Sequence, residues 1–391
     1  MEQGDNMKLK RWHLYLIVTL CFIVAFISIN RKYDRFYRVN GINNDNRALI
    51  ELYLDSHEQE YLVENAIAVD KFIKYIEYPE FKLEYYEFYN ALDRTKKYSS
   101  YEELINVSNI LASKLEVSFA SGALSHCNTL IKNDLVNAYI NQEDFNFDNI
   151  EYYQLLRSIY DDGDYSYISD TNTYLAIMSE FDGLEGKELY DTVKQLNNNY
   201  TKTSLAVLFN HDLQPNAKRI YDPSELSLVV NDLTYIGGYE PKNQVEVKGI
   251  QRVKYSMYLE EETYNNLNAM YRACYNDCGQ GLLLTKSYIS YDQAMIEDKG
   301  VVAGYNEYQL GTTINLQKSE ISAEDFDKTD IFQWLINHCY EYGFILRYPS
   351  DKVSVTNHEY SSSVFRYVGK DLAAKLHEQN LALEEYNVNE E

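Results

Sequence analysis

The sequence predicts an α+β fold: a small antiparallel sheet with packed helices, preceded by a mainly helical region and an N-terminal transmembrane helix. Three observations carry that expectation. Residues 12–29 hold eighteen positions without a formal charge, a length that just suffices to cross the apolar core of a bilayer. Residues 60–76 and 101–115 alternate apolar and charged side chains at roughly helical spacing. Residues 344–348 and 365–368 are short aromatic and β-branched runs, the first between Gly343 and Pro349 and the second ending at Gly369, as strands are bounded.

Length and charge narrow the function classes. A chain of 391 residues suggests two to three domains. The net charge of −24 argues against nucleic acid, because no basic face is evident to displace counterions from phosphates. It also discourages adsorption to anionic membrane surfaces.

Taken in order, the apolar run is flanked by Lys8, Lys10 and Arg11 before it and by Arg31, Lys32, Arg35 and Arg38 after it. No small-x-small cleavage site closes the run, which favours an uncleaved anchor over a signal peptide. Basic residues on both sides leave its orientation undecided by charge alone. Residues 38–220 carry no chemical motif. Within them, residues 78–89 are dense in aromatics around Pro79, and Asp161-Asp162-Gly163-Asp164 marks a turn. That turn lacks the further oxygen ligands of a calcium loop. Asp222-Pro223-Ser224 marks a boundary near residue 220, followed by a strand-like run over 226–231 and a tight turn at Gly237-Gly238.

The C-terminal elements are the clearest. Thr329 can cap a helix whose apolar positions Ile331, Trp334, Leu335, His338 and Tyr342 recur at three and four residues, with Gly343 where such a helix ends. The two strands follow, and residues 370–380 read as a closing helix. Of five cysteines, Cys274 and Cys278 lie four apart, awkward for a disulfide within a helix. Core or free thiols are expected.

Three segments carry a resemblance: Asn306 through Asn315, Tyr342 through Pro349, and Phe365-Arg366-Tyr367-Val368-Gly369, with Ser287-Tyr288-Ile289-Ser290-Tyr291-Asp292-Gln293 upstream. Their order and spacing resemble the VanY-type D-alanyl-D-alanine carboxypeptidases, zinc enzymes that trim peptidoglycan stem peptides. The resemblance spans roughly residues 221–386. It holds over the scaffold and fails where the chemistry belongs. The family's first motif, Ser-x-His-x-x-Gly-x-x-x-Asp, falls here on Asn306, Tyr308, Gly311 and Asn315. Its second, Glu-Pro-Trp-His-Phe-Arg-Tyr-Val-Gly, begins here Ser361-Ser362-Ser363-Val364 and then matches through Gly369. The arginine that the resemblance assigns to substrate holding is Ile289.

The resemblance therefore places the metal-ligand positions at Tyr308, Asn315 and Val364, and the general-base position at Ser361. Catalytic zinc takes about three ligands from His, Cys, Asp and Glu. Val364 has no donor atom, Asn315 offers a neutral carbonyl, and a phenol of pKa ~10 keeps Tyr308 protonated. Ser361 has no basic form near neutrality. No catalytic residue, metal ligand or cofactor is expected in this chain. Glu307, His358 and Glu359 are the only local residues for a rebuilt site, and His358 and Glu359, being adjacent, would face opposite ways on extended backbone.

The resemblance implies a bacterial, single-pass cell-membrane protein with its bulk extracytoplasmic. The expected divisions are a cytoplasmic tail (1–11), an anchor (12–29), a helical region of unassigned role (30–220) and a carboxypeptidase-like domain (221–391) that folds alone. The leading expectation is a pseudoenzyme that binds peptidoglycan stem peptide or a cell-wall protein. Tyr288, Ile289, Ser290, Gln293 and Gln309 are the candidate peptide-groove residues. Two rivals stand beside it: an active metallo-carboxypeptidase using an unrecognised site, and a regulatory subunit for a catalytic paralogue.

Overall fold

The computed structural model describes residues 11–296 and 302–388; all of the expected cytoplasmic tail except Arg11 lies outside them. The helix Arg11–Tyr33 opens the described chain. Its segment Arg11–Ile29 has the length and apolar character of a membrane span or a signal sequence, and none of it is buried inside the protein. The chain then divides into two compact units, Met1–Phe145 and Asn146–Glu391.

The first unit is helical, as its spacing predicts. Asn43 and Asp55 each close a capping box at the start of the helices Asn44–Tyr53 and Ser56–Glu64. The helix expected over 60–76 ends at Glu64 instead. Ala66 takes φ +49°, and its N–H donates to Val63 O while Ile67 N–H donates to Leu62 O. This pair of bonds is a Schellman stop, with Ile67 and Leu62 supplying its apolar contact. The remaining apolar residues of that stretch, Val69, Phe72 and Ile76, still enter the core, beside Phe36, Ile50 and Leu83. Spacing thus reported burial correctly and backbone conformation only in part. The helix Tyr101–Phe119 is longer than its pattern suggested and is capped by Ser100.

In the second unit the helices Tyr167–Glu180, Gly186–Asn199 and Lys202–Asn210 share one core with residues beyond the expected boundary at 221. Leu196, Leu205 and Leu208 pack there with Val230, Tyr235, Ile236 and Leu310. Residues 226–231 do not form the strand their apolar run suggested. Val230 is buried in that core, and a short parallel pairing of Lys218–Arg219 with Thr234–Tyr235 supplies the local backbone bonds. Gly237, with φ +53°, makes the expected turn.

The sheet holds five strands in the spatial order Gln251–Arg252, Leu282–Lys286, Thr313–Lys318, Ser361–Tyr367, Phe344–Tyr348. All pairings are antiparallel except the first. One face carries Leu282, Leu284, Ile314, Leu316, Phe344 and Phe365 against the helices Glu261–Cys278 and Asp330–His338. The helix cap at Thr329 is as expected, its Oγ1 accepting from Phe332 N–H at 3.2 Å. Gly343 takes φ +82°, and a Cβ there would lie 2.5 Å from Tyr367 Cε2, so both conformation and space require glycine. The last strand starts earlier than expected, at Ser361. All five cysteines are free, three of them buried.

Candidate functional site

The opposite face of the sheet gathers the positions that the family resemblance assigns to metal ligands. Asn315 and Val364 are paired neighbours on adjacent strands. The ladder register shifts between Leu284 and Lys286, which brings Lys286 opposite Asn315 on the other side. Such a shift re-aims a side chain across a sheet. Tyr308 arrives from a short 3-10 helix, Glu307–Leu310, whose exit is Gly311 at φ +72°. Its O–H donates to Asn315 Oδ1, and the Lys286 ammonium lies 4.1 Å from the centre of its ring. The ring also packs against the cluster of Ile289, Ala294 and Ala303, and Ile289 N–H donates to Tyr308 O at 3.4 Å. The isoleucine at the arginine position and the tyrosine at a histidine position are therefore packing partners.

These residues do not fit zinc. Val364 is nearly buried and brings no donor atom. Asn315 spends its carbonyl on Tyr308. Burial, reinforced by the charge of Glu307, pushes the Tyr308 phenol above its ordinary value despite the bond to Asn315, so the ring keeps its proton. Among the described residues no group of three or more His, Cys, Asp or Glu side chains is arranged to hold a metal ion. Ser361, at the position the resemblance gives to the base, has its Oγ 3.3 Å from Ser363 Oγ. The local residues for a rebuilt site are separated too. The exposed His358 ring lies against Tyr348, 4.5 Å between centres, while Glu307 is buried in a different contact.

That contact is an ionic layer. Arg347 Nε donates to both Glu307 carboxylate oxygens at 2.9 and 3.0 Å, and its Nη atoms donate to Glu384 at 3.0 and 2.7 Å. Arg366 Nη1 lies 3.7 Å from the same Glu307. Side-chain exposure is 1% for each arginine and 3% for Glu307. Burial opposes the Arg347 charge, but the two carboxylates outweigh it and raise its pKa; burial lowers that of Arg366. Sequence reasoning missed this layer, although an arginine inside each of two apolar strands was a signal for it. It also missed Lys286, for which a strand-end lysine offers no signal.

The candidate groove residues are placed differently from one another. Gln309 has no exposed surface, and its amide bonds Gly237 O, Tyr239 O and Gly304 N–H. It braces a turn and lines no groove. Ser290 and Gln293 cap each other, Gln293 N–H donating to Ser290 Oγ and Ser290 N–H to Gln293 Oε1, at the start of the helix Tyr291–Ile296. Ile289 belongs to the cluster beneath Tyr308. Tyr288 is half-buried, which pushes its phenol up to about 12.

An α+β scaffold whose first motif runs from a short 3-10 helix into a strand, and whose second lies on the neighbouring strand, is the class of protein these elements define. The family model for D-alanyl-D-alanine carboxypeptidase, VanY, matches residues 246–370. The putative carboxypeptidase YodJ of Bacillus subtilis is 30% identical over 217 residues, covering 49% of this chain and 79% of that protein. The chain belongs to the VanY family. A D-alanyl-D-alanine carboxypeptidase of Enterococcus faecalis is 35% identical over 102 residues, 26% of this chain and 37% of its own length. The chain thus spans well under half of that relative. Among solved structures, the LdcB LD-carboxypeptidase is similar at 26% identity and a TM-score of 0.40, over 45% of this chain and 92% of that one.

Proposed function

We propose that this chain is a catalytically silent member of its family, a membrane-anchored, extracytoplasmic protein that binds cell-wall peptide or a protein partner. The observation that carries the reading is the hydrogen bond from Tyr308 to Asn315, two ligand positions tied to each other beside a Val364 that has no donor. Ile289 supports it, because the arginine expected to hold substrate is replaced by a residue that packs under the tyrosine. Losses at three ligand positions, the base position and the substrate arginine all point the same way.

What the scaffold retains supports a binding role. Gly311, the strand Phe344–Tyr348 and the segment 365–369 keep the family pattern, and Tyr308 is held by Asn315 and by the cluster of Ile289, Ala294 and Ala303. The apolar N-terminal helix supports anchoring, and the name of the Enterococcus faecalis relative supports a peptide ending in D-alanyl-D-alanine as the class of ligand.

The test pairs metal analysis of the purified protein with release of D-alanine from a stem pentapeptide. Absence of both stoichiometric zinc and product, with a melting temperature unchanged by chelator, is expected. Tightly bound zinc in the unmodified protein would overturn the reading. Stem peptide that binds should raise the melting temperature with the logarithm of its concentration; a flat response leaves a protein partner as the role.

A further inference from the structure

The helical first unit carries a cleft that the family reading does not use. It lies where the helix Tyr86–Asp93 hands over to the helix Tyr101–Phe119, and it encloses about 370 Å³, within the ~300–1,000 Å³ of small-molecule sites. Tyr78, Tyr98 and Tyr101 line it together with Asp93, Lys96 and Ser99. Tyr78 and Tyr101 stand nearly perpendicular, 81° apart with ring centres at 6.0 Å, and Tyr101 is braced edge-on by the fully buried Tyr75 at 5.3 Å. Such bracing fixes two aromatic walls before any ligand arrives.

The polar groups narrow the ligand. None of the three lining phenol hydroxyls hydrogen-bonds another described residue. Burial pushes the Tyr98 phenol up to about 12, so it remains a donor throughout the physiological range. Asp93 is already engaged, accepting from Lys74 at 2.6 Å and from Lys96 at 3.3 Å. A lining with no net charge, rigid aromatic walls and three free hydroxyls suits a neutral, hydroxyl-rich ligand with one apolar face. A cationic ligand would have to break the pairs at Asp93.

We propose that this cleft binds a neutral saccharide, with the C–H face of a pyranose ring against the tyrosine walls and its hydroxyls meeting the phenols. Aromatic side chains serve both purposes, offering an apolar face and a polar tip. The unit would then bring the second unit to a glycan, a task independent of whether the family site is silent.

The experiment titrates the full chain in detergent with a tetramer of N-acetylglucosamine, read by calorimetry and by saturation transfer to the sugar protons. Saturable binding is expected, with transfer strongest at ring C–H protons. Tyr78→Ala should weaken it about tenfold, equivalent to ~1.4 kcal/mol. Tyr98→Phe, which keeps the ring and removes one hydroxyl, should weaken it less. Circular dichroism reports whether each variant keeps its helices. Absence of saturable binding at millimolar tetramer, or undiminished binding by folded Tyr78→Ala, would overturn the proposal. Displacement of the sugar by tetramethylammonium at lower concentration would do so as well, since it would identify a cation cage.

Discussion

The Tyr308 hydroxyl donates to Asn315 Oδ1, and the bond joins two residues from different elements that stand where a metal's ligands would. Alone at these half-buried positions, a tyrosine would leave an unpaired hydroxyl and an asparagine an unpaired carbonyl. Each resolves the other's desolvation cost. Ile289 and Val364 supply apolar contact beside the pair. The site is therefore occupied by a self-consistent set of side chains.

This arrangement predicts a graded series at one position. Tyr308→Phe keeps the ring contacts with Ile289, Ala294 and Ala303 and removes only the donor, so urea denaturation should report a loss of about 0.5–1.5 kcal/mol. Tyr308→Ala also opens a cavity and should cost about 3–5 kcal/mol. Equal losses for the two variants would mean that the ring contributes nothing.

The ionic layer predicts a larger effect from a smaller change. Glu307→Gln leaves the buried Arg366 without a carboxylate partner while Arg347 keeps only Glu384, and should destabilise by about 3–5 kcal/mol. Arg347→Met combined with Glu307→Met should not recover that loss, because it also leaves Glu384 and the buried Arg366 without their charge partners. Denaturation midpoints of the single and double variants decide the matter.

Fragment boundaries follow from the shared core. A fragment beginning at residue 221 lacks the helices that bury Val230, Tyr235 and Leu310, and should expose them and bind a hydrophobic dye. A fragment beginning at residue 146, where the second unit starts, should unfold cooperatively. A cooperative transition in the shorter fragment would refute this division.

Acid should act on the turn that the sequence marked. Lys202 and Ser166 bond Asp164 and lower its pKa to about 2, below the ~3.9 of an unfolded aspartate. A depressed folded pKa contributes stability above the unfolded value, and that contribution fades as pH falls toward the folded one. The stability difference between the native chain and Asp164→Asn should therefore be constant above pH ~5 and shrink as pH falls toward ~2. Because the pair is solvent-accessible, salt should shrink it too. A difference that persists unchanged into acid would rule out this pair as its source.

How far the sequence spoke can be followed residue by residue. Thr329, Gly343, Pro349 and the apolar spacing between them defined a helix and a strand, because caps, left-handed turns and periodicity are local properties. The family motifs around Gly311 and Phe365 identified the scaffold for the same reason. The sequence could not show that Ile289 and Tyr308 are partners, that a register shift brings Lys286 opposite Asn315, or that Arg347 and Arg366 share Glu307. It also misplaced Gln309, which the fold buries as a brace, and it drew a boundary at residue 221 through a single core. All of these depend on which strands pair and in what register, and on which distant apolar surfaces meet. Local patterns specify elements; the chemistry of this site and the extent of its supporting core were decided by contacts between residues far apart in the chain.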